Sequence, residues 1–401
     1  MKAIIEKSKA FGTIDAPPSK SLAHRALICG ALSECSVIEN VDFSKDIEAT
    51  LDCLEKMGAF VEKNGRCVKI GGLDPWKIPN DTKLYCNESG STLRFLIPLC
   101  MICGKEIYLT GEDRLLERPL TVYEQTSREQ NIEFKIEKNI LKVKGCLKSG
   151  DYYIRGDISS QFITGLLLAL SLINGKSKLC ITGKFESASY VDLTLYVMKL
   201  FGVDIKRTDN IFYINGGQKF NSFRYRVEGD CSNAAFLEGF NLLGGNVGLK
   251  GISSDTLQGD RVYCSMYEEL KNGEKMFDLS NCPDLAPVMF SMAAYYGGAT
   301  FNGTARLKIK ESDRASAMAE ELEKFGIKMC VYDDSVTIYE GSIVKPCTEL
   351  RGHNDHRIVM ALTLLCSVTG GVIEGAEAVS KSYPDFFEDI EKLGIKVKMV
   401  D

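Results

Sequence analysis

Histidine is nearly missing from this chain: three residues in 401, at positions 24, 353 and 356. No His-Glu-x-x-His pair occurs, which removes the commonest zinc-hydrolase arrangement. There is no Gly-x4-Gly-Lys-Ser/Thr loop and no Gly-x-Gly-x-x-Gly after a strand pattern, so the usual nucleotide signatures are absent. A Ser-His-Asp hydrolase stays open on composition, but no Gly-x-Ser-x-Gly elbow presents its serine. The longest apolar run, Phe162 to Ile173, is too short to cross a bilayer. A basic excess is missing as well. Lys and Arg number 49 against 54 Asp and Glu, for a net charge of -5. Nothing in that balance suits a nucleic-acid surface, so any anionic ligand must be held by local concentrations of cations.

Cysteine, by contrast, is abundant. Fifteen residues, an odd number, are scattered through apolar stretches such as Leu99-Cys100-Met101-Ile102-Cys103. The N-terminus, Met1-Lys2-Ala3-Ile4-Ile5-Glu6-Lys7, mixes charges and does not read as a signal peptide. Free core thiols in a cytoplasmic protein fit this usage better than a disulfide framework. Cys100 and Cys103 have redox spacing but sit inside an apolar run, which favours two buried small residues. A hydrophobic content of 45% with 26% charged residues is that of a globular chain. At 401 residues two domains are expected, because single cores stop growing near 250–300 residues.

One pattern recurs along the chain. A helical stretch ends at Gly or Asn, an alternating strand follows, then a turn and a second strand. Copies begin at Gly58, Asn131, Gly202 and Gly326, and the chain closes with Leu393-Gly394-Ile395-Lys396-Val397. Gly273, after Leu270-Lys271-Asn272, supplies a sixth marker. The successive intervals are 73, 71, 71, 53 and 68 residues. Gly suits a left-handed helix end, with Asn as second choice, and period-two alternation suits half-buried strands. The near-constant interval predicts six related α/β units with hairpins, rather than a strict open doubly wound sheet.

Short cation-bearing polar segments stand at the starts of the predicted helices. Pro17-Pro18-Ser19-Lys20-Ser21-Leu22-Ala23-His24-Arg25 is the first, followed by Glu88-Ser89-Gly90-Ser91-Thr92-Leu93-Arg94 and Leu115-Leu116-Glu117-Arg118-Pro119. Ile158-Ser159-Ser160-Gln161 and Ser187-Ala188-Ser189-Tyr190 are polar helix starts of the same kind. The second half adds Cys282-Pro283-Asp284, Arg306-Leu307-Lys308-Ile309-Lys310-Glu311-Ser312-Asp313-Arg314, Asn354-Asp355-His356-Arg357 and Ser380-Lys381-Ser382-Tyr383-Pro384-Asp385. Each alone reads equally well as a capped helix. Together they suggest helix N-termini, with free N–H groups and added cations, converging on an anion.

Taken in order, these segments resemble the enolpyruvylshikimate-phosphate synthase family of enolpyruvyl transferases. The resemblance spans the whole chain. It implies an α/β fold of two domains, each of three βαβαββ units, with the active site in the interdomain cleft. Residues 1–18 and 228–401 would form one discontinuous domain and residues 19–227 the other. The implied reaction moves the enolpyruvyl group of phosphoenolpyruvate to the 5-hydroxyl of shikimate 3-phosphate, with no metal or organic cofactor. A cytoplasmic monomer is expected, with no nucleic-acid or membrane partner.

Carried over motif by motif, Lys20, Ser21, Arg25, Ser159, Ser160, Gln161, Ser187, Tyr190, Asp284 and Lys310 would hold shikimate 3-phosphate. Lys20, Gly90, Arg118, Gln161, Arg314, Arg357 and Lys381 would surround phosphoenolpyruvate. Asp284 would accept the hydroxyl proton and Glu311 would donate one, with Lys20 and His356 as further catalytic groups. Three positions depart from the family pattern. Glu88 and Arg306 each replace a frequent Asn, and Pro18 replaces a Gly. Glu88 is expected to turn toward a helix N-terminus or Arg94, away from substrate.

The sister transferase acting on UDP-N-acetylglucosamine usually carries a loop cysteine near Arg118, but Leu109 to Thr121 has none. A binding protein that kept only the fold would not need Lys20, Asp284, Glu311 and Lys381 together. An RNA-end cyclase would need a basic run that is missing here.

Overall fold

The computed structural model describes residues 1–112 and 114–401. It divides into two compact units, Pro18–Glu228 and Met1–Pro17 with Gly229–Asp401, each around its own apolar core.

In the unit Pro18–Glu228, the helices are α1 (Lys20–Ala31), α2 (Lys45–Lys56), α3 (Gly90–Cys100), α4 (Thr121–Gln130), α5 (Ser160–Leu172) and α6 (Ala188–Leu200). They pair off with three four-stranded sheets of one design. Two parallel strands flank a helix, and a hairpin adds antiparallel to the second of them. For α1 and α2 the order is Arg224–Arg226, Ser36–Glu39, Cys67–Gly71, Phe60–Asn64, so this sheet borrows its first strand from the far end of the unit. The other two sheets are Thr82–Tyr85, Glu106–Thr110, Ile140–Lys144, Glu133–Glu137 and Asp151–Arg155, Lys176–Thr182, Ile211–Asn215, Lys206–Thr208. The unit is closed by Ser19 N–H donating to the Glu228 carbonyl at 2.8 Å.

The other unit contains α7 (Cys231–Leu242), α8 (Tyr263–Lys271), α9 (Ala286–Tyr295), α10 (Arg314–Lys324), α11 (His356–Thr369) and α12 (Phe386–Lys392). Two of its sheets repeat the strand order, though in the second the hairpin is replaced by strands from the two ends of the chain. One is Met276–Asp278, Ala299–Asn302, Ser335–Ile338, Met329–Val331; the other is Leu350–Arg351, Gly371–Glu374, Lys2–Ile5, Val397–Val400. The third contains only Asn246–Lys250 paired in parallel with Phe11–Asp15. No hairpin follows α8 among the described residues. That explains the short 53-residue interval: this repeat passes from its second helix straight into the next repeat's first strand, Met276–Asp278.

The six markers share one geometry. Gly58, Asn131, Gly202, Gly273, Gly326 and Gly394 all have positive φ. In every case the next residue's N–H bonds the carbonyl five residues back: Ala59 to Leu54, Ile132 to Ser127, Val203 to Met198, Glu274 to Glu269, Ile327 to Leu322, Ile395 to Ile390, at 2.8–3.0 Å. This is the Schellman closure, and in every copy but Gly273, where the exposed Glu274 follows, an apolar residue comes next and folds back on the helix. It corrects the strand starts expected from alternation. Val203 and Ile327 are buried at the helix end, so the strands begin only at Lys206 and Met329.

All fifteen cysteines are free thiols, seven of them buried. Burial pushes the Cys100 thiol well above its ordinary range, which removes the thiolate a redox pair needs. No helix among the described residues is long and apolar enough to cross a membrane.

Candidate active site

Six helices begin on the predicted segments. In the unit Pro18–Glu228, Lys20, Gly90, Ser160 and Ala188 are the first residues of α1, α3, α5 and α6, each behind a serine at the N-cap. Ser19, Ser89 and Ser159 accept the N–H of Leu22, Thr92 and Gln161, so the Ser159 hydroxyl serves its helix as well as any ligand. Ser187 caps with φ 54° and makes no capping bond of its own. Ser160 is buried at the start of α5.

Lys20 Nζ lies 2.9 Å from Asp46 Oδ2, on the first turn of α2. Arg25, 3% exposed, donates to Thr194 Oγ1 (2.8 Å), the Ser21 carbonyl (2.6 Å) and the Tyr190 carbonyl (2.9 Å). These acceptors are all neutral. Burial therefore dominates and pulls the guanidinium down to about 10. His24 beside it is held well below its usual range by burial and by Lys20 and Arg25, which makes it a neutral ring bonded to Thr50.

Gly90 is the meeting point of a second group. A Cβ there would sit 3.1 Å from Arg94 Nη1, 3.2 Å from Arg118 Nη1 and 3.4 Å from Gln161 Oε1. Arg94 donates to Gln161 Oε1 at 2.7 Å, and Gln161 Nε2 donates to Ser91 at 3.0 Å. Gly165 makes this possible, since a Cβ on it would lie 2.5 Å from the Arg94 carbonyl and hold α5 off α3. Two guanidiniums side by side next to a bare Cα form a cradle for an anion. Glu88 is half-buried one residue ahead of the Ser89 cap.

In the other unit Asp284 is the hub. It lies in a single tight turn before α9, 22% exposed, and takes Lys310 Nζ at 3.1 Å and Arg314 Nη1 at 2.9 Å on one oxygen. Its other oxygen takes Arg357 Nη2 at 3.2 Å, while Arg357 Nη1 bonds the Asp284 carbonyl. Arg314, 1% exposed, also pairs with Glu311 (2.7 Å) and with Asp355 (2.9 Å). Burial opposes charge on Asp284, but Arg357, Lys310 and Arg314 outweigh it and hold the carboxyl well below the usual range. The same balance, led by Arg314, keeps Asp355 ionised. Burial lowers Lys310, with Asp284 pulling the other way.

Asp355 caps α11 through the Arg357 N–H, and His356 is buried at its first turn with Nδ1 3.9 Å from Asp355. Lys381 Nζ donates to the Asn354 carbonyl at 2.6 Å. Arg306 reaches back to the Ser280 carbonyl, bracing the strand end that leads to Asp284.

Each unit thus gathers its own share of the predicted residues. Arg94, expected only as a partner for Glu88, and Asp355 both stand within the quoted motifs without an assigned place at the ligand. Ser312, which donates to Asp355 Oδ2 at 3.1 Å, likewise stands in a quoted motif, whereas Asp46 and Thr194 are not singled out at all. Their only signal is a polar residue on an otherwise apolar helix face or beside a charged motif.

Cations gathered at helix starts, with ionised carboxylates interleaved, define a protein built for small, multiply anionic molecules. The comparisons agree. A family model described as EPSP synthase (3-phosphoshikimate 1-carboxyvinyltransferase) matches residues 5–390. The 3-phosphoshikimate 1-carboxyvinyltransferase of Clostridium kluyveri is 43% identical across 97% of this chain and 96% of its own. That of Clostridium acetobutylicum is 41% identical across 96% and 95%. The solved EPSP synthase from Acinetobacter baumannii shares the fold, with a TM-score of 0.79 over 100% of both chains at 24% identity. The chain belongs to the EPSP synthase family.

Proposed function

We propose that this protein transfers the enolpyruvyl group of phosphoenolpyruvate to the 5-hydroxyl of shikimate 3-phosphate, releasing phosphate, in aromatic amino-acid biosynthesis. The observation that carries this reading is the Asp284 carboxylate under Lys310, Arg314 and Arg357, with Glu311 on the other terminal nitrogen of Arg314. The reaction needs two carboxyl groups doing opposite proton work and cations for two phosphates and two carboxylates. Both sets of residues then serve one substrate pair.

In the addition, Asp284 takes the 5-hydroxyl proton while that oxygen bonds C2 of phosphoenolpyruvate. Glu311 gives a proton to the methylene C3, which becomes a methyl group. In the elimination, Glu311 recovers a methyl proton, the C2–O bond to phosphate breaks, and Asp284 returns its proton to the departing phosphate. Lys20 and His356 assist at the reacting centre. Lys20, Ser21, Arg25, Ser159, Ser160, Gln161, Ser187, Tyr190 and Lys310 hold shikimate 3-phosphate. Gly90, Arg118, Arg314, Arg357 and Lys381, again with Lys20 and Gln161, hold phosphoenolpyruvate. Preorganised positive charge supplies most of the stabilisation.

A carboxylate held far below its usual range is a poor base. Substrate anions arriving on Arg314, Arg357 and Lys310 add negative charge beside Asp284 and Glu311, which raises the proton affinity of both. The site becomes competent when loaded.

The test is phosphate release from phosphoenolpyruvate with either shikimate 3-phosphate or UDP-N-acetylglucosamine as acceptor. Turnover with the first is expected. Silence with it, from folded protein, overturns the reading, and turnover with the second would assign the sister reaction. Asp284→Asn is expected to lower kcat by about a thousandfold, the range of general acid–base catalysis. Near-normal turnover would place the base elsewhere.

A further inference from the structure

We infer that Glu321 and His353, outside the groups assigned above, form a positioning pair for the cations Arg314, Arg357 and Lys381; the inference rests on the proposed reaction. Glu321 lies on α10 two turns beyond Arg314, on the same helix face, and its side chain is fully buried. A buried carboxylate must be compensated by hydrogen bonds and opposite charge. Lys324 Nζ donates to both oxygens at 2.9 Å, the Arg351 N–H to Oε2 at 3.0 Å, and His353 Nε2 lies 2.9 Å from Oε1. Burial works against the charge, yet these bonds hold the carboxyl below its ordinary range. An ionised carboxylate only accepts, so His353 Nε2–H is the donor.

The turn that His353 belongs to is unusual. His353 and Asn354 are consecutive non-glycine residues with φ of 48° and 52°. Among the described residues the other such pair, Lys138 and Asn139, is the tight turn of a β-hairpin; no hairpin imposes the conformation here, so the surroundings must hold it. On one side stands the Glu321–His353 bond. On the other, Lys381 Nζ grips the Asn354 carbonyl, and Asp355 takes Arg314 Nε and the Arg357 N–H. One turn therefore sets three cations. Its carbonyl holds Lys381, its next carboxylate holds Arg314, and α11 springs from it carrying Arg357. α10 is fastened to this loop twice, by Arg314 at its first residue and by Glu321 two turns on.

Glu320, Glu321 and His353 could also be taken for a metal cluster, since each offers one donor atom within 4.8 Å. The Lys324 ammonium already occupies both Glu321 oxygens, so the charge is satisfied by an amine.

Steady-state kinetics of the full chain separates positioning from mere stabilisation. His353→Asn tolerates the left-handed backbone but is too short to reach Glu321, whereas His353→Gln keeps a donor near the same reach. His353→Asn is expected to raise KM for phosphoenolpyruvate about tenfold, the scale of a hydrogen bond to a charged group. KM for shikimate 3-phosphate should stay within about twofold, and His353→Gln should restore most of the loss. Glu321→Gln, which keeps an amide oxygen for the Arg351 N–H, should shift the same KM in the same direction and stands in should His353→Asn fail to fold. Both KM values unchanged, both rising together, or no rescue by His353→Gln would overturn the inference. Wild-type silence with both substrates would instead remove the reaction beneath it, and the inference with it.

Discussion

Arg25 and Arg314 are both arginines near the start of a helix, 3% and 1% exposed, one in each unit. Their surroundings are opposite. Arg25 donates to a hydroxyl and two backbone carbonyls, and burial draws its guanidinium down to about 10. Arg314 lies among Asp284, Glu311 and Asp355, which together overcome the cost of burial and push it above its ordinary range. A desolvated cation on neutral acceptors is unsatisfied, and an incoming anion relieves it. A cation inside three carboxylates is already satisfied, and an incoming anion must disturb that balance. The first arrangement suits holding a substrate. The second suits coupling binding to proton transfer.

That contrast is exposed to direct attack. The largest effect expected is on stability without ligand. Arg314→Met strips the countercharge from three carboxylates and should cost about 3–5 kcal/mol in urea unfolding. Arg25→Met replaces a desolvated cation without a countercharge by an apolar chain and should be neutral or slightly stabilising. Equal losses from the two variants would erase the distinction. Next in size, Gly90→Ala pushes the Arg94 and Arg118 guanidiniums by a few tenths of an ångström. A rise in KM for phosphoenolpyruvate of roughly fivefold, about 1 kcal/mol, is expected from such crowding. An unmoved KM would show that the anion does not sit at that cradle.

The smallest effect is on pH dependence. The folded carboxyls of Asp284 and Asp355 lie below the unfolded value of about 3.9, so the folded state binds fewer protons there. Their contribution is complete above about pH 5 and is lost as pH falls through about 4 toward the folded values. Asp284→Asn should make stability fall less steeply across that window, and Arg25→Met should leave the slope alone. A slope that changes with Arg25 and not with Asp284 would reverse the assignment.

Much of this was legible in the residues themselves. Positive-φ helix ends declared the repeat, because only Gly or Asn suits the closing position, and that position recurs at a near-constant interval. Helix starts declared the cations, because capping serines and Pro–Asp steps mark where N–H groups are free. The partners were not legible. Lys20 finds Asp46 across two helices, and Arg25 finds Thr194 from 169 residues away. Neither spacing has a period to betray it. The lost hairpin after α8 appeared only as a shortened interval, which has no meaning until the strands are seen. The double left-handed turn at His353 and Asn354 could not be foreseen at all, since nothing in either residue type demands it.

The strand Lys2–Ile5 lies between Gly371–Glu374 and Val397–Val400, antiparallel to both. In ribosomal synthesis it emerges long before either neighbour. At about 5–20 residues per second it waits on the order of tens of seconds without a partner. The segment Pro18–Glu228 carries every strand of its own three sheets and can close during that wait. Biogenesis of the molecule is therefore staged, and the unit that carries Asp284, with its dense ring of charges, is completed after the other.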